Sequence, residues 1–196
     1  MIAPVDRRRY MDADEALRLR TVTEASAITD LAAGRLRGPL VWAVVDTAML
    51  TGLRVSELAR LTVADLDAKR GLLTVWRHKR KPQKQETLAI PPDLVAHLAA
   101  FCAGRAGAVF VGKRGPLTPQ GLEQLWKVAV KRAGLPKELS IHSARHTLAV
   151  HLLRKTRNLR QVQKQLGHAS PTTTANLYAD VSFDDMKAGV TDLYHA

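Results

Sequence analysis

The chain has 196 residues, of which 46% are hydrophobic, so it can bury one full core but is too short for two comfortable domains. It contains 30 Lys and Arg against 18 Asp and Glu, a formal net charge of +12. Its single cysteine, Cys102, excludes an internal disulfide framework and a cysteine-based zinc site. No apolar run approaches the roughly 20 residues that a membrane span needs. We therefore expect one domain in a reducing, cytoplasmic setting, away from membranes.

The charge is the first indication of a partner. The isoelectric point is near 10.3, and a value above about 9 for a domain is typical of proteins that bind nucleic acid. Two alternatives remain at this point: a ribosome-associated protein, or an arginine-rich composition inherited from a GC-rich genome. Charge alone favours a nucleic-acid partner over both.

The apolar pattern predicts a mainly helical chain. Asp12 and Glu15 form a capping box that opens the first helix. Gly34 and the Gly38-Pro39 pair are expected to end this helix. The predicted helices cover residues 12–33, 41–50, 56–61, 93–102, 118–133, 142–155, 159–166, 172–178 and 183–193. The second of them is apolar on nearly every side, which predicts that it is buried, and Gly52 lies where its C-cap would be. The tryptophans lie in apolar stretches and are predicted to be core residues: Trp42, Trp76 and Trp126.

Between the helices lies a predicted β-hairpin. Residues 72–76 and 87–90 are short apolar runs with β-branched members, and the basic stretch 77–84 between them is typical of a long turn. Residues 109–111 are predicted to form one further strand. The sequence therefore predicts an α+β fold that is mainly α with a small antiparallel β-sheet, without a linker between two domains.

Three short segments combine residue types suited to phosphate chemistry. Residues 51–58 read TGLRVSEL, residues 142–147 read HSARHT, and residues 166–168 read LGH, followed ten residues later by Tyr178. Each segment alone is weak, because a pattern such as His-x-x-Arg occurs by chance in many proteins. All of them together, in this order and at these separations, resemble the boxes of the tyrosine recombinases of the phage-integrase type, over residues 11–193.

The residue types in these segments fit the transition state of phosphoryl transfer independently of the resemblance. A phosphodiester carries one negative charge, and a pentavalent transition state adds another. Arg54 and Arg145 can each hold non-bridging oxygens bidentately, and preorganised donors of this kind are usually the largest catalytic term. His142 lies three residues before Arg145 and so shares its helical face, while His168 follows a helix end closed by glycine.

The resemblance implies a reaction and a role for each residue. Tyr178 would attack phosphorus and form a 3′-phosphotyrosine link, and His142 would accept its proton. Arg54, Arg145 and His168 would bind the phosphate oxygens. Because the covalent link conserves the bond energy, no ATP, metal ion or other cofactor is expected. The substrate would be double-stranded DNA, bound by a tetramer of protomers during integration, excision, inversion or resolution.

Two further roles follow from the same resemblance. The family uses a hairpin lysine to protonate the leaving 5′ oxygen. Lys79 is the first choice here, with Lys81 and Lys84 as alternatives because the turn is long and basic. Glu57, three residues after Arg54, matches an acidic position that helps to arrange the active site in the family.

Several plainer interpretations remain open. Arg54 could form only a surface ion pair, His142 could be a core histidine, and Tyr178 could be an ordinary packed tyrosine. The same boxes also allow a type IB topoisomerase, a telomere resolvase, or a non-catalytic DNA-binding protein built on a decayed recombinase domain. A basic RNA-binding protein is a further class. Family members usually carry an upstream core-binding domain, so the chain is expected to be either a fragment or a naturally short member.

Overall fold

The computed structural model describes residues 10–77 and 84–167. Helices dominate this part of the chain: α1 (Ala13–Ala32), α2 (Arg37–Thr51), α3 (Val55–Leu58), α4 (Pro92–Phe101), α5 (Pro119–Arg132), α6 (Ile141–Thr156) and α7 (Leu159–Leu166). Short strands form two antiparallel sheets, ordered β1-β2-β3 and β4-β5: β1 (Leu66–Asp67), β2 (Leu72–Arg77), β3 (Lys84–Ala89), β4 (Val111–Gly112) and β5 (Gly115–Pro116). The prediction of a mainly α fold with a small antiparallel sheet is confirmed. None of the described helices is long and apolar enough to cross a membrane.

Helix α1 begins where the sequence predicts. The Asp12 carboxylate accepts a hydrogen bond from the Glu15 amide at 2.8 Å, and the Glu15 carboxylate accepts one from the Asp12 amide at 3.0 Å. This reciprocal pair satisfies two of the amide groups that a helix N-terminus leaves without partners. The helix ends at Ala32, shortly before Gly34, whose φ of 67° lies in the left-handed region.

The Gly38-Pro39 pair, which was predicted to interrupt the helical structure after α1, lies instead in the first turn of α2. Proline is tolerated there because the amides of a first helical turn have no intrahelical acceptor. Gly38 allows α1 and α2 to approach closely, since a Cβ on it would lie 2.8 Å from both the Asp30 side chain and the Ser26 carbonyl. Its amide donates to Asp30 Oδ2 at 2.8 Å. The pair therefore joins two packed helices.

Helix α2 forms the centre of the core. It contacts α1, α4, α5 and α6, and Val41, Val44 and Val45 are at most 2% exposed. Neighbours on nearly every side explain why its sequence is apolar on nearly every side, as predicted. Trp126 of α5 is fully buried in the same core. Its Nε1 donates to the Leu139 carbonyl at 2.8 Å, so its one polar group is satisfied.

The pairing of β2 with β3 extends further than the sequence predicts. Its last pair is Arg77 opposite Lys84, so both ends of the stretch predicted as a turn are strand residues. Both residues continue the regular antiparallel ladder, whose main-chain hydrogen bonds do not depend on apolar side chains. The connection between the two strands, residues 78–83, lies outside the described residues.

The two faces of β2 differ. Successive side chains of a strand point to opposite faces, and Leu73, Val75 and Arg77 are buried whereas Trp76 is 45% exposed. The prediction that Trp76 belongs to the core is therefore wrong, because its place in the alternation puts it on the outer face. Trp42 is half-buried and stacks on the ring of His97, with centroids 3.6 Å apart.

A second small sheet replaces the strand predicted at residues 109–111. Val109 and Phe110 are 3% and 2% exposed and belong to the core, while the strand itself begins at Val111 and pairs with β5. The Val109 amide donates to the Leu61 carbonyl at 2.9 Å. Strands of two residues carry too little pattern to be predicted, and the same holds for β1, which pairs with β2.

Helices α6 and α7 are joined by a smaller apolar cluster. Its buried members are Ala149, Leu153, Val162 and Leu166. Helix α7 ends at Gly167, which has a φ of 61°, as predicted. The helices predicted at residues 172–178 and 183–193 lie outside the described residues.

A buried ion-pair cluster connects α2 with α1 and α4. The Asp46 side chain is 3% exposed and lies 2.7 Å from Arg20 Nε and 2.9 Å from His97 Nδ1. Burial alone would raise the pKa of Asp46, but the hydrogen bonds from His97 and Arg20 outweigh burial and hold this pKa below its usual value. The carboxylate therefore stays charged and ties three helices together.

Asp46→Asn should lower the free energy of unfolding by about 1–3 kcal/mol, because the amide keeps the shape of the carboxylate but loses two charge-assisted hydrogen bonds. Urea denaturation followed by circular dichroism measures the change. Asp67→Asn is the matched control, since Asp67 is 44% exposed and lies 4.0 Å from Arg70. That substitution should change the unfolding free energy by less than about 0.5 kcal/mol. Equal effects would contradict the role given to Asp46.

Candidate active site

The first predicted box forms the turn between α2 and α3. Gly52 closes α2 with φ 64° and ψ 23°, as predicted, and Arg54 then forms the N-cap of α3 in an extended conformation. Glu57 accepts hydrogen bonds from the Arg54 amide at 2.9 Å and from Arg54 Nη1 at 2.8 Å. The two residues are therefore in contact, although Arg54 precedes the helix and does not share a helical face with Glu57.

The Glu57 carboxylate is shared by two arginines. It is 3% exposed, and its Oε2 also accepts a hydrogen bond from Arg77 Nη1 at 2.7 Å. A buried carboxylate is stable as an anion only when it is paired. The two oxygens of the Glu57 carboxylate therefore fix the positions of both Arg54 and Arg77. Arg54 itself is 25% exposed, and its Nε and Nη2 have no hydrogen-bond partner among the described residues.

Arg145 of α6 joins the first box to the third. It is buried, and it donates from Nη1 to the Gly52 carbonyl at 2.8 Å and from Nη2 to the Leu166 carbonyl at 2.7 Å. Gly52 and Leu166 lie at the C-terminal ends of α2 and α7. Carbonyls at helix C-termini lack intrahelical partners and carry partial negative charge, so a cation is stabilised there. Arg145 thus gathers residues that lie 93 and 21 positions away in the chain.

The pKa of Arg145 lies below the usual value of an arginine. Burial lowers the pKa of Arg145 to about 9, the neighbouring charges of Arg54 and Arg77 lower it as well, and the carboxylate of Glu57 opposes the change. The guanidinium remains protonated at neutral pH because about 9 is still above 7. A bound anion would offset the repulsion among the three guanidinium groups.

His142 lies at the start of α6, one turn before Arg145. Its side chain is exposed, whereas Arg145 is buried. Residues three apart on a helix are neighbours on its surface.

Arg77 is the site residue that sequence reasoning missed, because it was placed in the predicted turn. Its side chain is 3% exposed. It donates from Nη1 to Glu57, from Nε to Glu86 at 3.2 Å and from Nη2 to the Gln165 carbonyl at 3.4 Å. The signal that could have found it is the two-residue alternation of β2, which puts it on the buried face.

The remaining predicted site residues fall outside the part of the chain that the structure describes. These are Lys79, Lys81, His168 and Tyr178. Lys84 is placed in β3 opposite Arg77, but nothing is described of its side chain. The segment that leads to His168 is fixed, since Leu166 holds Arg145 and Gly167 lies against Arg77.

Within the described residues the site holds more positive than negative charge. Its positive groups are Arg54, Arg77 and Arg145, and its negative groups are Glu57 and Glu86. Arg145 is bound only by neutral carbonyls in this part of the chain. Preorganised donors in a desolvated setting stabilise an anion far better than the same groups in water. The arrangement is therefore suited to a phosphate group whose negative charge grows during reaction.

Comparison with known proteins identifies the family. The model described as the phage integrase family matches residues 9–185, and the chain belongs to this family. Tyrosine recombinase XerC of Pseudomonas aeruginosa (strain LESB58) is 34% identical over 197 residues, which cover 95% of this chain and 59% of that relative. The residues matched by the family model span the positions of all the predicted boxes.

Solved structures agree with the fold. XerA recombinase superposes with a TM-score of 0.74 at 26% identity, covering 95% of this chain and 66% of that chain. XerH site-specific recombinase, bound to difH substrate in a pre-cleavage complex, superposes with a TM-score of 0.72 at 19% identity, covering 100% of this chain and 56% of that chain. The chain thus spans less than two thirds of the length of each of these proteins.

Gly52→Ala should destabilise the protein more than Gly34→Ala. Both glycines have a left-handed φ, 64° and 67°, so alanine costs about 1–2 kcal/mol at either position. Only at Gly52 would the new Cβ meet neighbours, Leu166 at 2.7 Å and Leu148 at 2.9 Å, whereas nothing lies within 4 Å at Gly34. Overpacking should add about 1–3 kcal/mol at Gly52. Urea unfolding of both variants checks this, and equal losses would contradict the close packing around the Arg145 carbonyl acceptor.

Proposed function

We propose that the chain is the catalytic domain of a site-specific DNA recombinase, spanning residues 1–196 with its core over residues 11–193. The observation that carries this proposal is the position of Arg145, whose guanidinium binds the carbonyls of both Gly52 and Leu166. Three boxes that are far apart in sequence meet at that one side chain. Membership of the phage integrase family supports the same activity.

The proposed chemistry is a transesterification in two reversible steps. The Tyr178 hydroxyl attacks phosphorus, the bond from phosphorus to the 5′ oxygen breaks, and a 3′-phosphotyrosine results. Tyrosine has a pKa of about 10, so its proton must be accepted by a neighbouring group. We assign that role to His142, which is exposed one turn from Arg145. In the reverse step a 5′ hydroxyl attacks the phosphotyrosine and restores the DNA backbone, so no ATP or metal ion is needed.

The phosphate oxygens would be bound by arginines and a histidine. Arg54 has guanidinium donors that no described residue uses, and Arg145 supplies a buried charge that an anion would stabilise. His168 would bind from the segment that follows Gly167. The leaving 5′ oxygen needs a proton, which we assign to Lys79, with Lys81 and Lys84 as the alternatives. Glu57 holds Arg54 in place and does not touch the substrate.

The proposed partner is double-stranded DNA. A net charge of +12 favours binding to its phosphates, and XerH is seen bound to its difH substrate. Phosphate contacts carry no base information, so the recognised sequence must come from other contacts. We further propose that protomers assemble on DNA as a tetramer, in which two duplexes are cut and exchanged.

The test is covalent capture of DNA. The protein is incubated with a nicked suicide duplex, taken from DNA that flanks the gene, in which cleavage releases a short fragment and traps the protein on the DNA. We expect an adduct on a denaturing gel that vanishes in Tyr178→Phe. Tyr194→Phe is the matched control and should keep the adduct. Arg145→Ala should slow adduct formation by about 10²–10³.

Each other result has a definite meaning. An adduct that survives in Tyr178→Phe and disappears in Tyr194→Phe would contradict the assigned nucleophile. Retained DNA binding with no adduct over the whole set of flanking duplexes would contradict the enzymatic proposal and favour a non-catalytic DNA-binding protein on the same fold.

A further inference from the structure

Arg77 binds acceptors on three separate elements. Glu57 belongs to α3, Glu86 to β3 and Gln165 to α7, and the guanidinium donates to each of them. The contact with α7 is close, because a Cβ on Gly167 would lie only 2.6 Å from Arg77 Nε and 2.7 Å from Cζ. One side chain therefore fastens the last residue of β2 to the neighbouring strand, to the carboxylate that holds Arg54, and to the end of α7.

These contacts indicate that Arg77 does not bind the phosphate directly. Each of its guanidinium nitrogens donates to a protein oxygen, and only 3% of the side chain is exposed. Arg54, in contrast, is 25% exposed and has donors to spare. Arg77 therefore connects elements of the protein and does not serve as a ligand-binding group.

Packing alone does not explain an arginine at this position. The other buried side chains of β2, Leu73 and Val75, are apolar, and replacing a whole buried ion pair by hydrophobic residues is often neutral or stabilising in proteins. A planar guanidinium has donors in a fixed fork that can hold several acceptors in one geometry. An arginine at this position makes directed hydrogen bonds, whereas an apolar residue would contribute only packing.

The hairpin connection begins directly after this anchor. Lys79 is two residues beyond Arg77 in the sequence. A general acid must come within about 2.6–3.2 Å of the oxygen that it protonates. A displacement of about 1 Å can cost on the order of 10² in rate. The base of the hairpin must therefore be fixed relative to the phosphate site.

We propose that Arg77 is a positioning residue that fixes the base of the β2–β3 hairpin against Glu57 and the end of α7, and so sets where the hairpin lysine reaches the leaving oxygen. This inference rests on the recombinase function proposed above. It assigns to Arg77 an effect on one step, protonation of the leaving group, that general destabilisation of the fold would not produce.

The test compares two leaving groups. One nicked suicide duplex carries the ordinary 5′ oxygen at the scissile phosphate, and the other carries a bridging 5′ sulfur. A thiolate leaves without a proton because a thiol has a pKa of only about 8.5, so the sulfur substrate does not need the general acid. Arg77→Met removes all three contacts, and Arg77→Lys keeps the charge but not the fork. Arg20→Met is the matched control, since Arg20 also pairs with a buried carboxylate, that of Asp46.

We expect Arg77→Met to slow adduct formation by about 10² on the oxygen substrate and by less than about tenfold on the sulfur substrate. Arg77→Lys should fall between Arg77→Met and the unsubstituted protein on the oxygen substrate. Arg20→Met should change both rates by less than about threefold, because it lies outside the site. Equal losses on the two substrates, or no loss on either, would overturn the positioning role.

A second measurement needs no activity. Amide hydrogen exchange over residues 84–89 and 165–167 should be at least about tenfold faster in Arg77→Met than in Arg20→Met, because these segments lose their anchor. Unchanged exchange there would refute the anchoring even if the unsubstituted protein captures no DNA. Failure of the unsubstituted protein to form an adduct with either substrate would refute the recombinase function itself, and the two failures are thus distinguishable.

Discussion

The carboxylate of Glu57 is the group on which the rest of the site depends. It is 3% exposed and accepts hydrogen bonds from the Arg54 amide, from Arg54 Nη1 and from Arg77 Nη1. Breaking a buried pair of this kind typically costs about 3–5 kcal/mol, since the remaining charge stays buried without a partner. The turn after α2, the helix α3 and the strand β2 are therefore held to one another by a single side chain.

A second constraint comes from the ends of helices. Gly52 and Gly167 both take a left-handed conformation at the C-termini of α2 and α7, and this leaves carbonyls turned toward Arg145. Neither glycine has room for a side chain, because a Cβ would meet Leu166 beside Gly52 and Arg77 beside Gly167. Close packing against Leu166 and Arg77, together with the left-handed backbone, is therefore what requires glycine in the first and third boxes.

The elements that could be predicted from the sequence are those with local signals. The Asp12 capping box, the Gly52 and Gly167 helix ends and the apolar α2 were all found in this way. The Gly38-Pro39 pair was misjudged because its close approach to Asp30 depends on how two helices pack. Such tertiary contacts override local propensity.

The contacts within the site also divide into local ones, which the sequence predicts, and long-range ones, which it does not. The Arg54–Glu57 contact spans three residues and could be foreseen, and the three boxes and Tyr178 were recognised by their order. The contact between Arg145 and Gly52 spans 93 residues and could not be deduced from spacing. Arg77 was missed because a run of basic residues was treated as one turn, although the alternation of β2 continues through Arg77 and buries it.

The central claim is that the buried carboxylate of Glu57 sets the geometry of the arginines in the proposed active site. The most direct test is the rate of covalent DNA capture by Glu57→Gln, compared with Asp65→Asn. Asp65 forms a similar capping interaction, with Thr62, but it contacts no arginine among the residues that the structure describes. We predict that Glu57→Gln binds DNA within about threefold of the unsubstituted protein, because many phosphate contacts contribute to affinity, while the rate of capture falls by about 10². A capture rate in Glu57→Gln equal to that of Asp65→Asn would contradict the account.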